Sequence, residues 1–181
     1  MEEFNMKSMS VKKLTLCAVV AAVYAVLTMV LPSFTPLQCR ISEVLCILPF
    51  FLPFTSWGLF VGCLIVNLLS PYGWADVVFG SLATLLCCLT IAAIGKQTRG
   101  GMLSCIAACL MPALFNAVIV GAVITFTSAQ EEGARIAFFA INALQLAASE
   151  ALVMFVLGLP LMCYLPKNKA FERLRTDFGG N

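Results

Sequence analysis

The sequence predicts an all-α integral membrane protein of six transmembrane helices, two of them short, with both termini cytoplasmic. Three observations predict it: an apolar composition, a series of six apolar segments, and a lopsided distribution of basic residues. Of 181 residues, 61% are hydrophobic and 11% charged, and the mean hydropathy is +1.00. A soluble domain carries about 25% charged residues. A chain this poor in charge cannot cover a water-facing surface, so lipid is its solvent. The length fits one membrane domain with its core at 12–165 and loose tails at 1–11 and 166–181.

The apolar segments run Leu14–Leu31, Val44–Phe54, Trp57–Leu69, Val77–Ile94, Met102–Phe126 and Ile136–Leu165. The first follows Lys7, Lys12 and Lys13 like a signal peptide. Its apolar run is too long for one, however, and Pro32-Ser33-Phe34-Thr35 offers no small-x-small cleavage site, so it reads as retained. The second and third fall short of the ~20 residues that cross a bilayer. Pro49 and Pro53 break the second, and the pair reads as two short passes joined at Pro53-Phe54-Thr55-Ser56. Short, Pro-interrupted segments at membrane depth mark binding sites in transporters. The last three are each long enough, or nearly so, to span alone.

With six passes, Lys7, Lys12, Lys13, Lys96, Arg99, Lys167, Lys169, Arg173 and Arg175 fall on one side, and only Arg40 and Arg135 on the other. By the positive-inside rule the termini are cytoplasmic.

Several functions are excluded or disfavoured. There is no histidine, which removes the commonest general base and metal ligand. The nine cysteines form no CxxC pair and lie mostly in apolar runs, as small buried hydrophobes do. No cofactor, metal site or enzyme constellation emerges, and a net charge of +2 suggests no nucleic-acid partner. Gly95-Lys96 is followed by Gln97, and Thr90 stands where a phosphate loop needs its first glycine. Any ATP-driven work falls to another protein.

The polar residues that lipid should exclude are the candidates for binding. Arg40 and Glu43 follow Gln38 and Cys39 into the second segment; Asn67, Tyr72, Trp74 and Asp76 surround the turn after the third. Asn116 lies mid-way along the fifth, four residues after Pro112. On the sixth, Asn142, Gln145 and Ser149 share a narrow helical arc, with Glu150 at its margin. All map to the outer leaflet or the midplane. An ionisable group there costs about 2.5–3.5 kcal/mol on insertion scales, so it faces a cavity or a partner. Bland readings stand beside the binding ones. Glu150 can pair with Arg40 or Asn116, Arg40 with Glu43 at i, i+3, Asp76 can cap the fourth helix, and Trp74 can belong to an interface belt. On the first helix Ala18 and Ala22, and Ala21 and Ala25, form two small-xxx-small stripes that permit close helix approach, within the fold or onto a partner.

The stretches Arg40-Ile41-Ser42-Glu43, Gly58-Leu59-Phe60-Val61-Gly62, Asn67, Asp76-Val77-Val78-Phe79-Gly80-Ser81-Leu82-Ala83-Thr84, Asn116, and Glu150 with Gly158-Leu159-Pro160 resemble the QueT family. Its members are substrate-specificity (S) components of energy-coupling factor (ECF) transporters, associated with queuosine precursors. The resemblance covers about Lys12 to Leu165; Cys39 departs from it, standing where a larger residue is expected. It implies a six-helix component that captures a 7-deazaguanine solute from outside. A transmembrane coupling subunit and two cytoplasmic ATPases would then drive uptake, with Ala18 and Ala22 as the docking surface. Taken with the polar residues above, the candidate substrate-binding residues are Arg40, Glu43, Asn67, Trp74, Asp76, Asn116, Asn142 and Glu150. The residues leave two rivals open: a stand-alone proton-coupled carrier of a small polar solute, and an S component for a different vitamin.

Overall fold

The computed structural model describes residues 10–30, 40–98, 101–128 and 134–179, and these are helical throughout apart from short connections. Lys7, Gln38, Cys39 and Arg99 lie outside them. We label the helices α1 (Val11–Val30), α2 (Ile41–Phe51), α3 (Thr55–Asn67), α4 (Asp76–Gln97), α5 (Met102–Thr127), α6 (Arg135–Lys167) and α7 (Lys169–Gly179). Of these, α1, α4, α5 and α6 are long and apolar enough to cross a membrane, while α2 and α3 are shorter apolar helices. The division into four long and two short segments matches the sequence expectation, and the chain is a multi-pass membrane protein.

The helix α2 is irregular for reasons written in its sequence. Ile41–Ile47 is a 3-10 helix that turns into one α-helical turn at Leu48–Phe51. Pro49 sits in the first turn of that α segment, where a missing N–H leaves nothing unpaired. Pro53 then forces Leu52 out of the helical region, to φ −132° and ψ 80°. The hydroxyls of Thr55 and Ser56 donate to the carbonyls of Leu52 and Pro53 at 2.7 and 2.8 Å, reinforcing the backbone turns in which the same carbonyls accept the Thr55 and Ser56 N–H groups. The 3-10 segment of α2 contacts α1, α3, α4, α5 and α6, so it occupies the middle of the bundle.

Two glycines set the distance between α1 and α3. A Cβ at Gly58 would lie 2.5 Å from the carbonyl oxygen of Cys17, and one at Gly62 would lie 2.8 Å from that of Ala21. No side chain fits, so the helices meet backbone to backbone. The two alanine stripes of α1 thereby separate. Ala21 and Ala25 are buried against α3, whereas Ala18 and Ala22 are exposed beside Leu14 and Val26.

The C-terminal segment differs from the loose tail expected of it. Lys169–Gly179 is helical, begun by Asn168, whose side-chain oxygen accepts from the Ala170 N–H at 2.9 Å. Phe171, Leu174 and Phe178 fall on one half-buried face. The Phe171 ring meets Phe51 edge-on at 5.4 Å, and Phe178 lies 5.8 Å from Phe54. Two aromatic anchors on one face of a short polar helix were too sparse to register as a packing signal. The ammonium of Lys13 lies 5.6 Å from the same Phe54 ring, so the start of α1 and the C-terminal helix share one end of the bundle.

Replacing Gly58 by alanine should force α1 and α3 apart and cost about 1–3 kcal/mol. Gly101→Ala, where an added Cβ meets nothing within 4 Å, should change stability by less than ~0.5 kcal/mol. Thermal unfolding in detergent compares the two, and equal midpoints would remove the close contact from the account.

Candidate binding site

The 3-10 geometry of α2 is what assembles the site. At three residues per turn, side chains at i and i+3 stack on one side, which aligns Glu43 and Cys46, with Arg40 capping the segment one turn earlier. Arg40, Glu43 and Cys46 are 3%, 1% and 0% exposed. The Glu43 carboxylate is held on both oxygens: the Tyr24 hydroxyl of α1 donates to Oε1 at 2.9 Å, and the Cys46 thiol donates to Oε2 at 3.1 Å. One turn along α1, the Thr28 hydroxyl lies 2.7 Å from Ser42 Oγ and ties the same segment a second time.

Two further carboxylates are buried around it. On α6, Glu150 is 1% exposed, and the amide nitrogen of Asn116 on α5 donates to both its oxygens, at 2.8 and 2.9 Å. Asp76 begins α4 in a π-helical turn, Asp76–Gly80, and makes no capping bond. Its Oδ2 accepts instead from the Ser70 hydroxyl. Asn67 at the end of α3 donates from its amide nitrogen to the Asp76 carbonyl at 3.1 Å and to Ser81 Oγ at 3.2 Å. Gly80 is required here, because a Cβ would collide with Asp76 Oδ1 and approach the Asn67 amide to 2.9 Å.

Arg40 lies within Coulombic reach of Asp76, Glu43 and Glu150. Yet among the described residues no carboxylate comes within 4.0 Å of it; the ion pair found there is the exposed Arg175–Glu172. The i, i+3 pairing of Arg40 with Glu43 and the pairing of Glu150 with Arg40 are therefore replaced by neutral donors. Five buried polar atoms have no partner among the described residues: the donors Arg40 Nε and Asn142 Nδ2, and the acceptors Asn67 Oδ1, Asp76 Oδ1 and Asn116 Oδ1. Buried polar groups are ordinarily paired, and each unpaired one costs about 1–3 kcal/mol. These atoms present a polar solute with both donors and acceptors. Among the described residues no three His, Cys, Asp or Glu side chains are placed to hold a metal ion.

Arg40, Glu43, Asn67, Asp76, Asn116 and Glu150 are thus all buried, the three acids in separate hydrogen-bonded groups within Coulombic reach of Arg40. Trp74 does not join them; it is 76% exposed. The polar arc of α6 is turned from its expected direction. The buried residues there are Leu146, Glu150 and Val153, so Glu150 faces inward while Asn142, Gln145 and Ser149 are half-buried beside it. Packing against α5 centres the inward face on the apolar residues, which polarity alone does not reveal. Tyr24, Ser42, Cys46 and Ser81 were missed. Tyr24 had a signal, being a lone phenol in an otherwise apolar helix; the thiol and hydroxyls had none.

Apolar helices enclosing buried acids, a guanidinium and unpartnered amides place the chain in the class of multi-pass membrane proteins with a polar centre. The sequence pattern described as QueT transporter matches residues 14–167, and the chain belongs to that family. It is also 38% identical over 85 residues to the queuosine precursor transporter QueT of Lactococcus lactis subsp. cremoris (strain MG1363), a stretch covering 45% of this chain and 50% of that protein. The match thus spans about half the length of that curated relative. No solved structure matches.

Asn116→Leu should destabilise the protein by about 3 kcal/mol, because it strips a buried carboxylate of its donor. Adding Glu150→Leu should restore most of the loss, since the stranded group is then gone. A double variant no more stable than the single one would show that the Asn116–Glu150 bond is not the cause.

Proposed function

We propose that this chain is the S component of an ECF importer and captures a 7-deazaguanine precursor of queuosine, its aminomethyl form in preference to neutral ones. The observation that carries this is an excess of acid: among the described residues Glu43, Asp76 and Glu150 are buried around one buried cation, Arg40. Uncompensated charge is strongly disfavoured in an apolar interior, and a cargo bearing an ammonium group supplies compensation that a nitrile does not. The guanine edge suits the same site. Its ring N–H and exocyclic amine are adjacent donors, and a carboxylate is a two-oxygen acceptor. The name of the lactococcal relative supports the cargo class.

In this reading the six apolar helices are six passes with cytoplasmic termini, supported by the positions of the basic residues and by the meeting of Lys13 and Phe178 at Phe54. A separate coupling subunit docks on the exposed Ala18 and Ala22, and two ATPases supply the energy that this chain has no phosphate loop to harvest. The same excess of acid suits a proton-coupled carrier. Accumulation of cargo by vesicles holding this chain alone would favour that carrier over the importer.

Calorimetry on the detergent-solubilised chain should detect the aminomethyl precursor binding more tightly than the nitrile, without ATP. Glu150→Gln should weaken it by about 30- to 1,000-fold, equivalent to roughly 2–4 kcal/mol. Stability should be largely kept, because the new amide can donate to Asn116 Oδ1. Tight binding of an unrelated vitamin with no deazapurine bound would refute the cargo.

Ala18→Trp or Ala22→Trp should leave affinity within a few-fold while abolishing uptake and co-purification of coupling subunits, since a bulky ring blocks close helix approach. Uptake that survives both substitutions would move docking elsewhere.

A further inference from the structure

The Glu43 carboxylate has a charged alternative to the neutral partners it uses. Arg40 caps the 3-10 helix three residues before it, and the Arg40 carbonyl accepts the Glu43 N–H at 3.0 Å. Arg40 Nε is buried and without a partner among the described residues, and the two charges lie within Coulombic reach. A guanidinium hydrogen bond to a carboxylate is roughly twice as strong as a neutral one. Left to itself, Glu43 would turn onto Arg40. What holds it elsewhere is the Tyr24 hydroxyl on Oε1 at 2.9 Å, with the Cys46 thiol on Oε2 at 3.1 Å.

Tyr24 is well placed to resist that collapse. It is 1% exposed and sits on the face of α1 that Gly58 and Gly62 bring against α3. The Thr28 hydroxyl, one turn on, is bound to the Tyr24 carbonyl at 2.7 Å and to Ser42 at 2.7 Å, so the backbone carrying Tyr24 is tied to the backbone carrying Glu43. The phenol therefore approaches the carboxylate from a fixed helix.

We propose that Tyr24 is a positioning residue that holds Glu43 off Arg40, keeping a carboxylate unneutralised for the cargo's cationic group and so setting selectivity for charged over neutral deazapurines. This rests on the reading of the site as one for a cationic 7-deazaguanine. A phenol is suited to the role because it donates a hydrogen bond without adding positive charge. Lysine or arginine in its place would cancel the charge it is there to preserve.

Tyr24→Phe keeps the ring and removes only the hydroxyl. Calorimetry with the aminomethyl and nitrile precursors should show their affinity ratio falling about tenfold or more, chiefly through weaker binding of the aminomethyl form. Thr28→Val, which loosens the helix but leaves the phenol hydroxyl to bind Glu43, should lower the ratio by clearly less, about threefold or under. An unchanged ratio in Tyr24→Phe, or an equal fall in Thr28→Val, overturns the proposal. A second measurement needs no ligand. If Glu43 turns to Arg40 once the phenol hydroxyl is gone, Arg40→Met should lower the melting temperature more in the Tyr24→Phe background than in the wild type. Additive effects in that cycle overturn the proposal. Should the wild type bind neither precursor, the cargo assignment falls, and the melting cycle alone decides whether Tyr24 restrains Glu43.

Discussion

A carboxylate inside an apolar bundle must be given hydrogen-bond donors by the protein, and that requirement organises this structure. Glu43, Asp76 and Glu150 are each buried, and each takes its donors from a neighbouring side chain: Tyr24 and Cys46, Ser70, and Asn116. These donors come from α1, α2, the α3–α4 turn and α5. Moving any of those elements by an ångström or two would strand a charge where stranding is most costly. The positions of the helices are therefore set by the polar centre as well as by apolar packing. The close α1–α3 contact through Gly58 and Gly62 serves the same end, since it brings the Tyr24 hydroxyl within reach of Glu43.

Each acid lies in or beside a departure from regular α-helix. Glu43 is in the 3-10 part of α2, Asp76 opens the π-helical turn of α4, and Glu150 comes four residues before the π-helical turn Met154–Gly158 of α6. A regular α-helix turns 100° per residue, so consecutive polar side chains splay around it. The 3-10 segment stacks Glu43 and Cys46 instead, and π turns of this kind recur at functional sites. In α2 the tight winding ends where Pro49 and Pro53 limit the chain.

Much of this was legible in the sequence. Six apolar segments, the break at Pro53 and the six buried polar residues follow from hydropathy and from the cost of placing Arg40, Glu43 or Glu150 in lipid. What escaped has physical reasons. Cys46 and Ser42 look unremarkable among apolar neighbours, because their part depends on a 3-10 winding that hydropathy does not encode, and the lone phenol Tyr24 finds its partner only through that winding. Glu150 was set at the margin of a polar arc because the arc was drawn through polar residues. Leu146 and Val153, buried on either side of it, define the inward direction. The helix at Lys169–Gly179 escaped because only Phe171, Leu174 and Phe178 anchor it.

The first helix shows how one segment can carry two demands. At 100° per residue, Tyr24 and Thr28 fall on the side buried with Cys17, Ala21 and Ala25, while Ala18 and Ala22 face away and are exposed. The two alanine stripes are indistinguishable by composition; only the glycines on α3 decide which is consumed by internal packing. The inner face is bound to the α2 segment by Tyr24–Glu43 and Thr28–Ser42, so α1 and that segment cannot shift independently without breaking buried hydrogen bonds. A shift of Glu43 is thus felt by the helix that presents Ala18 and Ala22 on its far side. Coupling of this kind needs no long relay, because the two features are separated by the width of a single helix, about 10 Å.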